Sequence, residues 1–146
     1  MTKAKFTYPS TDQIEWLYDN MIFLCDGGVK GYRDFGSLQY LLEIIKDDDY
    51  FPGLIPKLSR LIFGISHGHI FSDGNKRMGM ISGAFFLSIN GLYDSRRQFL
   101  DRMESITLHI ANGNIDETLL PLILAPIIQG EDYPENVKLM IKDAIE

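Results

Sequence analysis

The chain has 146 residues, 45% of them hydrophobic and 23% charged, with a formal net charge of −6. That is enough for one domain, residues 1–146, with a real core, and the acidic balance disfavours nonspecific nucleic-acid binding, which needs clustered cations, so no direct nucleic-acid binding is expected. No apolar run reaches the roughly 18 residues of a membrane span, no apolar leader follows Met1, and the lone Cys25 supports neither a disulfide framework nor a thiolate metal cluster, so the expectation is a cytoplasmic protein.

Helical periodicity dominates the chain. Ser10 with Gln13 forms a capping-box pattern, after which Ile14, Leu17, Tyr18, Met21 and Ile22 recur at helical spacing until Gly27-Gly28 stops the run. Val29–Arg33 is too short and glycine-rich for a helix and reads as a turn or small hairpin. A second helix is predicted over about 35–46. Asp47-Asp48-Asp49 lacks the spaced ligands and the later Glu of a calcium loop, and reads as a solvated break. A third helix runs over about 55–66, with Leu58, Leu61, Ile62 and Ile65 on one face.

The fourth helix, about 75–90, is apolar nearly all round, which marks a buried central element. Gly79 and Gly83 inside it each sacrifice roughly 1 kcal/mol of helix propensity against Ala, so another helix should approach closely there. Three further helices are predicted over about 95–111, 116–128 with breaks near Pro121 and Pro126, and 134–145. Cys25 is expected to be a small buried hydrophobe, and His109 a structural side chain without partners. Nothing long alternates as a strand should, so the predicted class is all-α.

Between the third and fourth helices lies His67-Gly-His-Ile-Phe-Ser-Asp-Gly-Asn-Lys-Arg77. A helix N-terminus presents unpaired N–H groups and about half a positive charge, and Gly74 lets the backbone turn with positive φ next to a ligand. Lys76 and Arg77 add charge-assisted donors. As cations at a helix start they oppose the dipole, unless an anion sits among them. Asp73 supplies a hard oxygen of the kind Mg²⁺ accepts beside phosphates. Asn75 can donate to a phosphate oxygen or fix the loop, Phe71 can anchor it from the core, and His69 offers an imidazole as proton acceptor. This is equipment for phosphoryl or nucleotidyl transfer. A transition-metal site on His67, His69 and Asp73 would need a further ligand that the sequence does not identify.

The string His69-Ile-Phe-Ser-Asp-Gly-Asn-Lys-Arg77 resembles the signature of the Fic/Doc superfamily, H-x-F-x-D/E-G-N-G/K-R. Gly31-Tyr-Arg-Asp-Phe-Gly-Ser-Leu38 and Tyr50-Phe-Pro-Gly-Leu54 are similar to segments that precede the motif in the Doc (death-on-curing) branch. The likeness covers roughly residues 27–93. It implies a compact helical bundle with a short β-like flap, here Val29–Arg33. It also implies His69 as general base, Asp73 as Mg²⁺ ligand, and Gly74, Asn75, Lys76 and Arg77 as a cradle for the phosphates of ATP.

Two positions depart from the adenylylating pattern: Lys76 stands where those enzymes have Gly, and Met80 where they usually have a second Arg. Lysine adds bulk and charge where the α-phosphate would sit deep. The Doc branch shares it, and there the implied reaction is transfer of the γ-phosphate of ATP to a hydroxyl of a host protein, with a translation elongation factor as the substrate class and a small antitoxin as inhibitor. Transfer of AMP, a metal-dependent phosphohydrolase and a catalytically silent binding module are the alternatives. The inhibitory [S/T]-x-x-x-E-[G/N] pattern is incomplete: Thr11 and Glu15 are followed by Trp16.

Overall fold

The computed structural model describes residues 5–24, 30–92 and 96–146. Its helices are α1 (Thr11–Leu24), α2 (Phe35–Ile44), α3 (Leu54–His67), α4 (Asn75–Ile89), α5 (Arg96–Ala111), α6 (Leu120–Gln129) and α7 (Glu135–Ile145). The all-α class expected from periodicity holds. The expectations placed on Cys25, Gly27-Gly28, Val29 and Ser95 lie outside the described residues.

The capping box at the start of α1 is reciprocal. Gln13 N–H donates to Ser10 Oγ at 3.1 Å, and Ser10 N–H donates to Gln13 Oε1 at 2.9 Å. Ile14, Tyr18 and Met21 then bury one face of α1. At the centre α3 packs along α4, with α5 covering α4, and α2 and α6 covering α3. α7 is anchored mainly through Val137, its one buried residue.

The two glycines of α4 explain how closely its neighbours approach. A Cβ on Gly79 would lie 2.0 Å from Ser66 Oγ and 3.2 Å from the Ile62 carbonyl oxygen, and one on Gly83 would lie 2.9 Å from both Ile62 Cγ1 and Phe99 Cζ. The propensity lost at each glycine is therefore offset by helix–helix contact that any larger residue would block.

Residues 47–49 do more than break the chain. The Asp47 carboxylate accepts from the N–H groups of Asp49 and Tyr50 at 2.9 and 3.1 Å, which fixes the turn after α2. Asp48 pairs at 2.8 Å with Lys57, which is 0% exposed. The Lys57 ammonium also donates to the Ile45 carbonyl at 2.7 Å and lies over the rings of Phe6 and Tyr8. Burial disfavours its charged form, but the bonds to Asp48 and to the Tyr8 hydroxyl outweigh that and raise its pKa above the ordinary lysine value. A sequence reading that treats each acid locally misses this pair, because the two partners come from separate elements.

α6 also differs from expectation. The Asp116 carboxylate accepts from the N–H groups of Thr118 and Leu119, so residues 116–119 form a turn and the helix starts at Leu120. Pro121 falls in its first turn, where the missing N–H is no loss. No break occurs at Pro126: the helix runs through it to Gln129 and ends on the left-handed Gly130. Burial of Leu120, Ile123, Leu124 and Ile127 holds the segment helical despite the proline.

Candidate active site

The loop joining α3 to α4 is built by a reversal of the backbone at a histidine. Gly68 closes α3 in the right-handed region, and His69 then takes φ +51°, the one non-glycine residue with positive φ among those described. Such a conformation is uncommon outside glycine, although histidine tolerates it better than most. It turns the chain so that Ile70 and Phe71 enter the core, 1% and 0% exposed, while His69 stays exposed.

Residues 70–72 are then clamped from outside by the segment entering α2. Arg33 and Asp34 N–H groups both donate to the Ile70 carbonyl, at 2.8 and 3.1 Å, and Ser72 N–H donates to the Gly31 carbonyl at 2.9 Å. Tyr32 and Phe71 form an antiparallel bridge, which is the β-type pairing present among the described residues. The flap expected at Val29–Arg33 is thus a strap over the described residues 30–33, laid along the candidate loop. Asp34 serves a second purpose as N-cap of α2: its carboxylate accepts from Ser37 N–H and Oγ–H, which lowers its pKa.

Beneath the strap, aromatic rings lock the loop to α1. Tyr18 and Phe71 have ring centroids 4.2 Å apart, and Tyr32 lies 5.2 Å from Phe71 and 5.7 Å from Tyr18. The Tyr18 hydroxyl donates to the Gly31 carbonyl at 3.0 Å and accepts from the Gly31 N–H at 2.9 Å. Burying Phe71 contributes about 2–3 kcal/mol by area, and each ring pair about 0.5–1.5 kcal/mol more. Tyr18 is a supporting residue that sequence reasoning missed, and Tyr32 figures there only as part of the flap. α1 periodicity marked Tyr18 as core, but nothing local tells that its hydroxyl reaches a residue 13 positions on.

The start of α4 carries the remaining candidates. Gly74 is the N-cap, with φ +83° and ψ 18°, and a Cβ there would lie 2.7 Å from Met21 Cε. No side chain caps this N-terminus, and its first turn has no acid. The first N–H to find an intrahelical acceptor is that of Met78, bonded to Gly74 O at 2.9 Å. The N–H groups of Asn75, Lys76 and Arg77 therefore have no acceptor within the helix. Asp73 accepts from Gly74 N–H at 2.8 Å and is exposed, as are Lys76 and Arg77. Asn75 is half-buried and turns its amide to the loop: Oδ1 accepts from Phe71 N–H and Nδ2 donates to the Phe71 carbonyl, both at 3.0 Å. Of the two uses open to this amide, fixing the loop is the one its contacts form, and one amide hydrogen remains.

All six predicted site residues thus lie on one short loop and the first turn of the helix it enters, with the exposed face cationic at Lys76 and Arg77. A family model described as Fic/DOC family matches residues 8–87, more than half of the sequence. The chain belongs to the Fic/DOC family. Its match takes in α1, the strap, the loop and α4 almost to the end, so the Fic/DOC region is the one just described. No curated protein matches the chain.

The exposed first turn of this Fic/DOC helix suits an anion on three counts: free N–H groups, two cations placed against the helix dipole, and a glycine cap that keeps side-chain bulk away. Asp73 offers one carboxylate, which fits a Mg²⁺ ion that draws its other ligands from phosphate oxygens and water. Among the described residues no three His, Cys, Asp or Glu side chains converge into a protein-only metal cage. His67 stacks on Phe63, 5.1 Å between centroids and 13° between planes, and lies 6.5 Å from the His69 ring. His109 is in the last turn of α5 and contacts Asn114 through Nδ1 at 3.2 Å, a partner the sequence did not suggest. No helix of the described residues is long and apolar enough to cross a membrane.

Proposed function

We propose that this Fic/DOC chain transfers the γ-phosphate of ATP to a hydroxyl of a host protein, acting in the cytoplasm as the toxin of a toxin–antitoxin pair. The observation that carries the reading is the uncapped first turn of α4, with Lys76 and Arg77 at its positive end. Lysine at that position favours a terminal phosphate over a deeply seated α-phosphate. It adds charge where adenylylating relatives leave a void.

In this mechanism His69 takes the proton of the acceptor hydroxyl as its oxygen bonds to the γ-phosphorus. The bond from that phosphorus to the β–γ bridging oxygen breaks, and ADP leaves with the electron pair. The N–H groups of α4, Lys76 and Arg77 hold the phosphate oxygens, with Gly74 and Asn75 shaping the cradle. Asp73 would hold Mg²⁺, which when bound neutralises phosphate charge. The host target class suggested by the resemblance is a translation elongation factor, and the inhibitor a small antitoxin protein.

The test is to incubate the protein with host lysate and ATP labelled at the α or the γ phosphate, beside a His69→Asn control. Protein-bound γ label that disappears in the control is the expected result. Bound α label would make the enzyme an AMP transferase, and absence of both labels would favour a binding module.

A further inference from the structure

We infer that the seam between α2 and α3 is the docking groove for the acceptor polypeptide, and that it selects an extended stretch with an apolar side chain in the middle and a basic one at the end away from the hydroxyl. This rests on the transfer reaction proposed above, and concerns which proteins receive the group.

The groove starts at the catalytic loop. Its first hollow, about 330 Å³, has Gly68 and Ile70 in its wall, the two neighbours of His69 in the chain. His69, between them in the chain, is exposed. Along its length it is lined by Tyr40 and Ile44 of α2 and by Phe63 and His67 of α3, over a floor where Gly64 admits the Leu41 side chain, whose methyl carbons would lie 2.8 Å from a Cβ at that glycine. The charged pair Arg60–Glu117 closes one side as a neutral unit. A second hollow of about 530 Å³ shares Tyr40 and Ile44 and continues to Glu43, Asp47, Tyr50 and Phe51.

Two features identify the occupant. The first is exposed aromatic surface: Tyr40 is 67% and Tyr50 81% exposed, and both line the second hollow. Large rings held in water beside a hollow are what a partner side chain covers. The second is the charge gradient. At the loop end Arg33, Lys76 and Arg77 stand with the carboxylates of Asp34 and Asp73, whereas the far end carries the carboxylates of Glu43, Asp47, Asp48 and Asp49 against only the ammonium groups of Lys46 and Lys57. A peptide lying in the groove therefore meets excess negative charge at its distal end and gains from a Lys or Arg there. From Ser37 to its last residue Ile44, α2 advances about 10 Å at about 1.5 Å per residue, the reach of about three extended residues at about 3.3 Å each, and the acidic turn of residues 47–49 lies beyond that end. The basic residue is thus expected at least about three positions from the modified hydroxyl.

The experiment reads binding without nucleotide, so that it does not depend on turnover. ¹⁵N-labelled full-length chain is titrated with the hexapeptides Thr-Ala-Leu-Ala-Ala-Arg and Arg-Ala-Ala-Leu-Ala-Thr, and with versions carrying Glu for Arg. The expected result is that one orientation moves the amide signals of Tyr40, Glu43, Ile44 and Phe63, and binds at least fivefold more tightly than its Glu version. Glu43→Lys should abolish that preference and Tyr40→Ala should weaken binding at least fivefold. Both side chains are exposed, so neither change threatens the fold. With a lysate acceptor, Tyr40→Ala should raise KM and leave kcat unchanged.

Signals moving only around residues 30–33, or no binding at millimolar peptide, would overturn the proposal. So would groove signals that respond to Mg-ATP alone, which would give the hollow to the nucleotide, or a concentration-dependent dimer lost in Tyr40→Ala, which would give it to a second copy. If the peptides bind as stated and no phosphate is transferred, the docking groove stands and the reaction chemistry is what fails.

Discussion

Asn75 and Phe71 are joined by two hydrogen bonds of 3.0 Å, the side-chain amide of one bracketing the backbone N–H and C=O of the other. A neutral amide donates at one end and accepts at the other at this spacing, whereas an ionised carboxylate can only accept. Asn75→Ala should leave both Phe71 groups unpaired and cost about 1–3 kcal/mol. Asn75→Asp keeps the acceptor but turns a carboxylate oxygen toward the Phe71 carbonyl, so it should be no better than Ala. Urea denaturation of the three proteins checks the order, and equal stability of Asn75→Asp and the parent would refute the bracket.

At His69 chemistry and backbone conformation are separable. Asn tolerates the left-handed region, so His69→Asn should keep the fold while labelling of the acceptor falls on the order of 10²–10⁴. His69→Ala should lose activity equally and also about 1 kcal/mol or more of stability, since alanine resists positive φ. Paired melting and labelling measurements distinguish the two effects.

Tyr32 places a hydroxyl in the interior without a hydrogen-bond partner. Tyr32→Phe should therefore stabilise the protein by about 1 kcal/mol at neutral pH. Burial first, and then the charges of Glu15 and Asp19, push the Tyr32 pKa up to about 12. The folded state thus keeps its proton after an unfolded tyrosine has released one near pH 10. Stability from this group is complete below pH 10 and declines as pH rises toward 12. The phenylalanine variant should lack that part of the alkaline decline in pH-dependent melting.

Lys57 should tolerate no truncation. Lys57→Ala removes the bonds to Asp48 and to the Ile45 carbonyl and opens a void under Phe6 and Tyr8, a loss of about 3 kcal/mol, at the low end for buried pairs because Asp48 is partly exposed. Lys57→Met retains the stem and should lose less. Thermal melts that rank Met below Ala would contradict this.

Gly79→Ala would gain about 1 kcal/mol of helix propensity and meet Ser66 Oγ at 2.0 Å and the Ile62 carbonyl at 3.2 Å. Overpacking should win, with a net loss of about 1–2 kcal/mol. Adding Ser66→Ala should recover part of it, because the nearest atom is then gone. A double-mutant cycle measures that coupling.

The helices were legible because each buries one face, so the period of apolar residues reports position along the chain. Gly79 and Gly83 even announced close approach, since a costly residue in a helix needs a compensating contact. The loop was legible as a set of residue types at fixed spacing. What stayed hidden depends on pairs distant in sequence. The Tyr18 hydroxyl on Gly31, the strap bonds to Ile70 and the Lys57–Asp48 pair leave no local trace. Nor does composition reveal that His69 itself adopts the left-handed turn, or that Pro126 sits inside an unbroken helix.

The turn that bears His69 is fastened at each end to the two helices at the centre of the bundle, and roofed by residues 31–34. Such a mounting leaves little slack, so a partner that reaches this loop must adapt to it. Evolution of a new clientele would then proceed by altering outward side chains near the mouth, leaving the inner frame untouched.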